Sequence, residues 1–192
     1  MNHTPEIKKA IQFAARKHHG QFRAEAEPLP YVTHLFSVAL LLAEGGAGDE
    51  VVIAGLLHDT LEDTDTTPEE LEKAFGSRVL RLVEAVTEPK LGLNGEQLSW
   101  RAMKELCVKQ LQDGPDGALM VSAADKIDNI ESKVAAFGRE GAALLARFSQ
   151  KPESYLWYHG AVLEEARKRL SGPLLERFKR AYERERITFG AL

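Results

Sequence analysis

Apolar residues recur along this chain at intervals of three and four rather than two, the spacing of one face of a helix. Ile7, Ala10, Ile11, Ala14 and Ala15 predict a helix from Pro5 to His19. Thr4 supplies its cap, Pro5 its first position, and Gly20 its stop. Lys17, His18 and His19 then suit the negative end of the helix dipole. Residues 21–30, with Pro28 and Pro30, read as a loop. Val32, Leu35, Phe36, Val38, Ala39, Leu41 and Leu42 carry the next helix over 31–44, ended by Gly45-Gly46. Asp49 opens VVIAGLLHDTLE, and Thr67-Pro68-Glu69-Glu70 is a helix start with an acidic first turn.

That short helix stops at Gly76, and Ser77 begins another through about Thr87. Residues 88–97 form a loop. SWRAMKELCVKQLQ is helical and stops before Asp113-Gly114-Pro115. GALMVSAADKIDNIESKVAAF is a long helix, a shorter one follows within 139–150, and helices over 153–170 and 173–187 complete the pattern. No segment alternates as a strand does, and no repeat is present. The expectation is a single all-α domain over residues 1–192.

Composition narrows the function classes. A hydrophobic share of 44% with 28% charged residues is that of an ordinary globular chain with a core of its own. No apolar run reaches the length of a membrane span, and MNHTPEIKKA has no apolar signal segment. The one cysteine, Cys107, forms no internal disulfide and lies in a helical run as a small core residue, which fits a reducing cytoplasm. A net charge of −4 argues against a broad nucleic-acid surface, though not against a local pocket for an anion. Neither glycine-rich phosphate signature occurs. Trp100, Trp157 and Tyr158 read as core or interface residues.

Three separate helical patterns are interrupted by metal-type ligands. His34 lies between Tyr31-Val32-Thr33 and Leu35-Phe36, His58 and Asp59 follow Ala54-Gly55-Leu56-Leu57, and Asp125 follows Met120 to Ala124. Taken singly, His34 reads as a hydrogen-bonded core or cap residue, His58-Asp59 as a helix end, and Asp125 as a partner of Lys126 or of an arginine elsewhere. Together, two histidines and two carboxylates suit a divalent first-row metal with positions left for water and a substrate oxygen. Mn²⁺ fits such a set, and Fe²⁺, Co²⁺, Ni²⁺ or Zn²⁺ also accept it. Such an ion lowers the pKa of water and polarises a phosphoryl oxygen. Glu62 and Asp63 lie four residues beyond His58 and Asp59, one turn on if the helix continues. There they read either as an exposed acidic turn or as carboxylates that hold the attacking water.

The motifs FAARKHHGQFR, PYVTH, AGLLHDTLEDTDTT, FGSRVLRLVEAVTE and ADKIDNI resemble the HD-domain metal-dependent phosphohydrolases. Within that family the likeness is to the Rel/SpoT hydrolase domain and its stand-alone relatives, the small alarmone hydrolases. It runs over about residues 5–135, leaving 136–192 as C-terminal helices. The resemblance implies an HD-domain helical bundle with the metal site between core helices. It implies Mn²⁺ held by His34, His58, Asp59 and Asp125, with Glu62 and Asp63 catalytic. It also implies release of pyrophosphate from the 3′ position of (p)ppGpp-type nucleotides by a metal-activated water. Arg23 and Asn129 match substrate-pocket positions, and Lys126 is a phosphate or carboxylate partner. Two departures bear on the substrate. Ala24 stands where relatives carry lysine, and Met103 falls in a segment that is WRERK-like elsewhere. Those losses keep (p)ppApp, another nucleotide such as NADPH, or a non-catalytic sensor as alternatives.

Overall fold

A computed structural model describes residues 4–23, 28–89, 91–92 and 95–190. Among the described residues the chain is all-α, with isolated bridges only at Phe22–Pro30 and Leu91–Gln97. The helices are α1 (Pro5–Lys17), α2 (Val32–Glu44), α3 (Asp49–Leu57), α4 (Thr60–Asp63), α5 (Pro68–Phe75) and α6 (Ser77–Glu84). They continue with α7 (Trp100–Asp113), α8 (Asp116–Glu140), α9 (Pro152–Arg169) and α10 (Pro173–Phe189), with a 3₁₀ segment, Gly141–Arg147, between α8 and α9.

Local chemistry sets several of these ends. Thr4 Oγ1 accepts the Ile7 N–H at 3.3 Å, and Thr67 Oγ1 accepts the Glu70 N–H at 3.2 Å, each just ahead of a proline at the first helical position. Gly76, at φ 84°, ends α5 in the left-handed region that a side chain disfavours. The first helix ends at Lys17, with His18 as its cap. His18 is buried, with Nδ1 2.6 Å from Gln21 Oε1 and its ring stacked on Tyr31, so it packs inward rather than serving a solvent-facing helix end.

The central helix is α3. Val52 through Leu57 are all buried, because α1, α2, α6 and α8 surround it. Gly55 permits the tightest of these approaches. A methyl there would run into Leu42 Cδ1 and stand 3.3 Å from Val38 Cγ1 on α2. The 25-residue α8 spans about 37 Å and forms the spine on which α2, α3, α9 and α10 pack. Phe178 of α10, with Val162, Leu163 and Ala166 of α9, joins the same buried cluster as Leu35, Leu56 and Ile127. The C-terminal helices therefore belong to the core around the site.

The HDTLED segment differs from the continuous helix that the spacing admits. Helix α3 stops at Leu57, and a new single turn, α4, begins after Asp59. Thr60 Oγ1 donates to the Leu57 carbonyl at 2.6 Å, holding a side chain across the break. The segment expected as a helix within 139–150 is the 3₁₀ turn Gly141–Arg147, since α8 runs on to Glu140 before Gly141 stops it at φ 59°.

Candidate metal and nucleotide site

His34 comes from the first turn of α2, His58 and Asp59 from the α3–α4 junction, and Asp125 from the middle of α8. His34, His58 and Asp59 bring ligand atoms within 4.8 Å of one another. His34 Nε2 lies 3.2 Å from Asp125 Oδ1 and 3.8 Å from Asp59 Oδ2. His58 Nε2 lies 3.1 Å from Asp59 Oδ2 and 3.9 Å from Asp125 Oδ1. At the α3–α4 junction both residues keep right-handed helical backbone angles, and their adjacent side chains reach the same centre.

The outer atoms of these ligands are fixed. His58 Nδ1 donates to the Gly55 carbonyl at 2.9 Å, and His34 Nδ1 donates to Asp128 Oδ2 at 2.7 Å. Each histidine thus points Nε2 inward, the tautomer that a metal ligand needs. Tyr31 Oη donates to Asp59 Oδ2 at 2.6 Å, and Asn129 Nδ2 donates to Asp125 Oδ1 at 2.5 Å. Lys126 pairs with Asp125 Oδ2.

Two observations fit this set to a divalent ion. His58 Nε2 is buried and makes no well-aligned hydrogen bond, although Asp59 Oδ2 stands 3.1 Å away, and a coordinate bond would satisfy both atoms. The cluster also draws positive charge to its centre. Burial opposes a charged His34, yet hydrogen bonds to Asp125 and Asp128 hold its pKa up to about 9. Burial likewise opposes ionised Asp59, and the neighbouring His58 holds it down to about 2. Donors of two imidazoles and two carboxylates, without thiolate, match a divalent first-row ion.

A cavity of ≈ 350 Å³ opens beside the cluster, and Glu62 and Asp63 line it. Glu62 Oε2 accepts the Glu88 N–H at 3.2 Å. Burial, then the charge of Glu88, pushes the Glu62 carboxyl up to about 7. Gln21 Nε2 donates to the Asp63 carbonyl at 2.7 Å and ties α4 to the end of α1. A second cavity of ≈ 470 Å³ carries Phe22, Arg23 and Phe148 and shares Asn129 and Tyr155 with the first.

The sequence-predicted substrate residues line these cavities, with their polar groups already engaged. Arg23 Nη1 pairs with Asp128 Oδ2 at 2.6 Å, Asn129 is turned onto Asp125, and Lys126 takes the carboxylate role of its two expected ones. Ala24 and the rest of the 24–27 segment lie outside the described residues. Met103 is no cation, but Lys104 beside it lines the first cavity and pairs with Glu88. Trp100 and Tyr158, expected in the core or an interface, also line that cavity. Sequence reasoning passed over Tyr31, Glu88, Asp128 and Lys133. Of these, Asp128 carried a usable signal, a second carboxylate three residues after Asp125 and so on the same side of the helix.

Comparison with known proteins agrees with this geometry. The model of the family described as HD domain matches residues 10–151. The chain is 45% identical over 127 residues to human guanosine-3′,5′-bis(diphosphate) 3′-pyrophosphohydrolase MESH1, covering 65% of this chain and 68% of that protein. It is 42% identical over 131 residues to the Aquifex aeolicus protein named guanosine-3′,5′-bis(diphosphate) 3′-pyrophosphohydrolase. That match spans 68% of this chain but only 18% of the much longer relative. A solved structure, described as a metazoan ortholog of SpoT that hydrolyses ppGpp, superposes with a TM-score of 0.77 at 26% identity. It covers 95% of this chain and 97% of its own. With its fold, its His/Asp cluster and these relatives in agreement, the chain belongs to the HD-domain family, in the group that includes human MESH1.

Proposed function

We propose that this chain is a 3′-pyrophosphohydrolase of ppGpp-type nucleotides, dependent on a divalent metal, with Mn²⁺ as the ion. The observation that carries the reading is the convergence of His34, His58, Asp59 and Asp125 beside a cavity that Glu62 and Asp63 also line. The relatives named for this activity support it. His34, His58, Asp59 and Asp125 hold the ion. Once bound, such an ion supplies acidified water and neutralises phosphoryl charge.

The chain's own groups do the rest. Glu62, with a pKa near 7, accepts a proton from water as it attacks the phosphorus next to the 3′ oxygen. Asp63, on the same single turn, orients that water. Phosphoryl transfer asks for alignment and charge neutralisation more than for covalent chemistry. The bond that breaks joins this phosphorus to the ribose 3′ oxygen, which leaves and takes up a proton, while Lys126 and Lys104, held by Asp125 and Glu88, line the cavity beside the charged pyrophosphoryl oxygens. Tyr31, Asp128 and Asn129 act one layer out, fixing the orientation of Asp59, His34 and Asp125.

The test is a panel of ppGpp, ppApp and NADPH given to the Mn²⁺-loaded protein, with products resolved by chromatography. The expected products from ppGpp are GDP and pyrophosphate, and Asp59→Ala abolishes their release. The adenine nucleotides belong in the panel because position 24 carries alanine. Release of orthophosphate instead of pyrophosphate would sink the assignment. Tight ppGpp binding without turnover would favour a sensor, a reading that leaves Glu62 and Asp63 without a task.

A further inference from the structure

Five described cations line the two cavities: Arg23, Lys104, Lys126, Lys133 and Arg147. Four of them are already neutralised. Arg23 pairs with Asp128, Lys104 with Glu88, Lys126 with Asp125, and Arg147 with Glu140. Lys133 alone has no hydrogen bond or ion pair among the described residues. Its Nζ sits 3.8 Å over the Tyr155 ring and 5.6 Å from the centroid of Phe148. The attraction of an ammonium to a ring face is weaker than the hydration it gives up on burial. Burial accordingly pushes the Lys133 pKa down to about 8, against the distant pull of Glu185. Glu185 itself is occupied by His159 Nδ1, at 2.9 and 2.8 Å from its two oxygens. The position of Lys133 therefore lacks an anion.

The geometry says which anion. Asp125, Asn129 and Lys133 follow one another at four-residue intervals on α8, so they form one stripe along the cavity wall. Lys133 lies eight residues beyond the metal-cluster residue Asp125, about 12 Å along the helix axis. It lines both cavities, at the place where a ligand anchored at the cluster passes from the first into the second. A nucleotide whose 3′-diphosphate is seated at the cluster has its other phosphates on the far side of the ribose. We propose that Lys133 is the residue that binds the 5′-phosphates of the substrate and sets the preference for a nucleotide phosphorylated at both ends. This rests on the functional reading above.

Wild type, Lys133→Met and Lys133→Arg, all Mn²⁺-loaded, are compared on ppGpp and on guanosine 3′-diphosphate, which has no 5′-phosphate. Loss of one charge-assisted contact predicts that Lys133→Met raises KM for ppGpp about tenfold or more, with kcat changed less than about threefold. KM for guanosine 3′-diphosphate stays within about threefold, because the contact is absent there. Lys133→Arg recovers most of the ppGpp affinity, and Tm is not lowered in Lys133→Met. Equal losses on both nucleotides, or no loss on ppGpp, overturn the proposal. A lowered Tm with both nucleotides weakened marks a packing residue and overturns it too. If wild type binds ppGpp without hydrolysing it, the functional reading fails. The ppGpp dissociation constant, weakened about tenfold in Lys133→Met or unchanged, then still decides the role of Lys133. No binding of ppGpp at all overturns both.

Discussion

At the scale of residues, the cluster depends on atoms that touch no ligand position directly. Asp128 accepts from His34 Nδ1 and from Arg23, so one carboxylate sets both a histidine tautomer and the placement of an arginine. Asp128→Asn is expected to weaken metal binding about 10–100-fold while leaving the four proposed ligands in place, measured by competition with a metallochromic chelator. Glu62 makes a sharper kinetic prediction. Its pKa is raised to about 7, so it is roughly half protonated at neutral pH and the proton-accepting form grows as pH rises. A base role gives kcat/KM an acid limb near pH 7 that levels off above it. Glu62→Gln lowers kcat/KM about 100-fold or more and removes that limb, with metal affinity unchanged. The proposed ligands were legible in the sequence because each interrupts an apolar face. Tyr31, Glu88 and Lys133 were not, because their meaning lies in neighbours far along the chain. Tyr31 meets Asp59 across 28 positions, and Lys133 meets Tyr155 across 22.

At the scale of elements, the junction between α3 and α4 carries two of the four proposed ligands. His58 and Asp59 keep right-handed helical backbone angles there, and both side chains reach the centre that His34 and Asp125 share. Sequence spacing left open whether the helix continues through this point, because the packing around the junction does not show in propensity. The approach of α2 to α3 is set by Gly55, whose carbonyl also holds His58 Nδ1. Gly55→Ala forces Leu42 and Val38 to move, and about 1–3 kcal/mol of stability should be lost. Because the displacement runs directly into the His58 support, metal affinity should fall with it. Urea unfolding and metal titration of the same variant check both. The helix starts at Thr4 and Thr67 were readable from local chemistry alone, since each cap and its proline act within one turn.

At the scale of the molecule, the question is how residues 136–192 relate to a motif set that ends near 135. The core answers it, because Phe178 and Leu163 are buried in the same cluster as Leu35 and Ile127. We propose one cooperative unit. Phe178→Ala should cost about 3–5 kcal/mol, and far-UV ellipticity and tryptophan fluorescence should lose their signals in one coincident urea transition. The all-helical character was legible from the 3.6-residue periodicity, and the HD-type bundle from the resemblance of its motifs. The joint cavity wall built by α7, α8 and α9 was not, since it depends on how helices pack rather than on what each contains. No helix of the described residues is long and apolar enough to cross a membrane. Titrating metal-stripped protein with Mn²⁺ while following pyrophosphate release from ppGpp decides whether the His/Asp cluster is a metal centre for this reaction. The expected result is no turnover in the stripped protein and a linear rise that saturates at one ion per chain. Full turnover without metal, or one bound ion per chain with no pyrophosphate released, would contradict it.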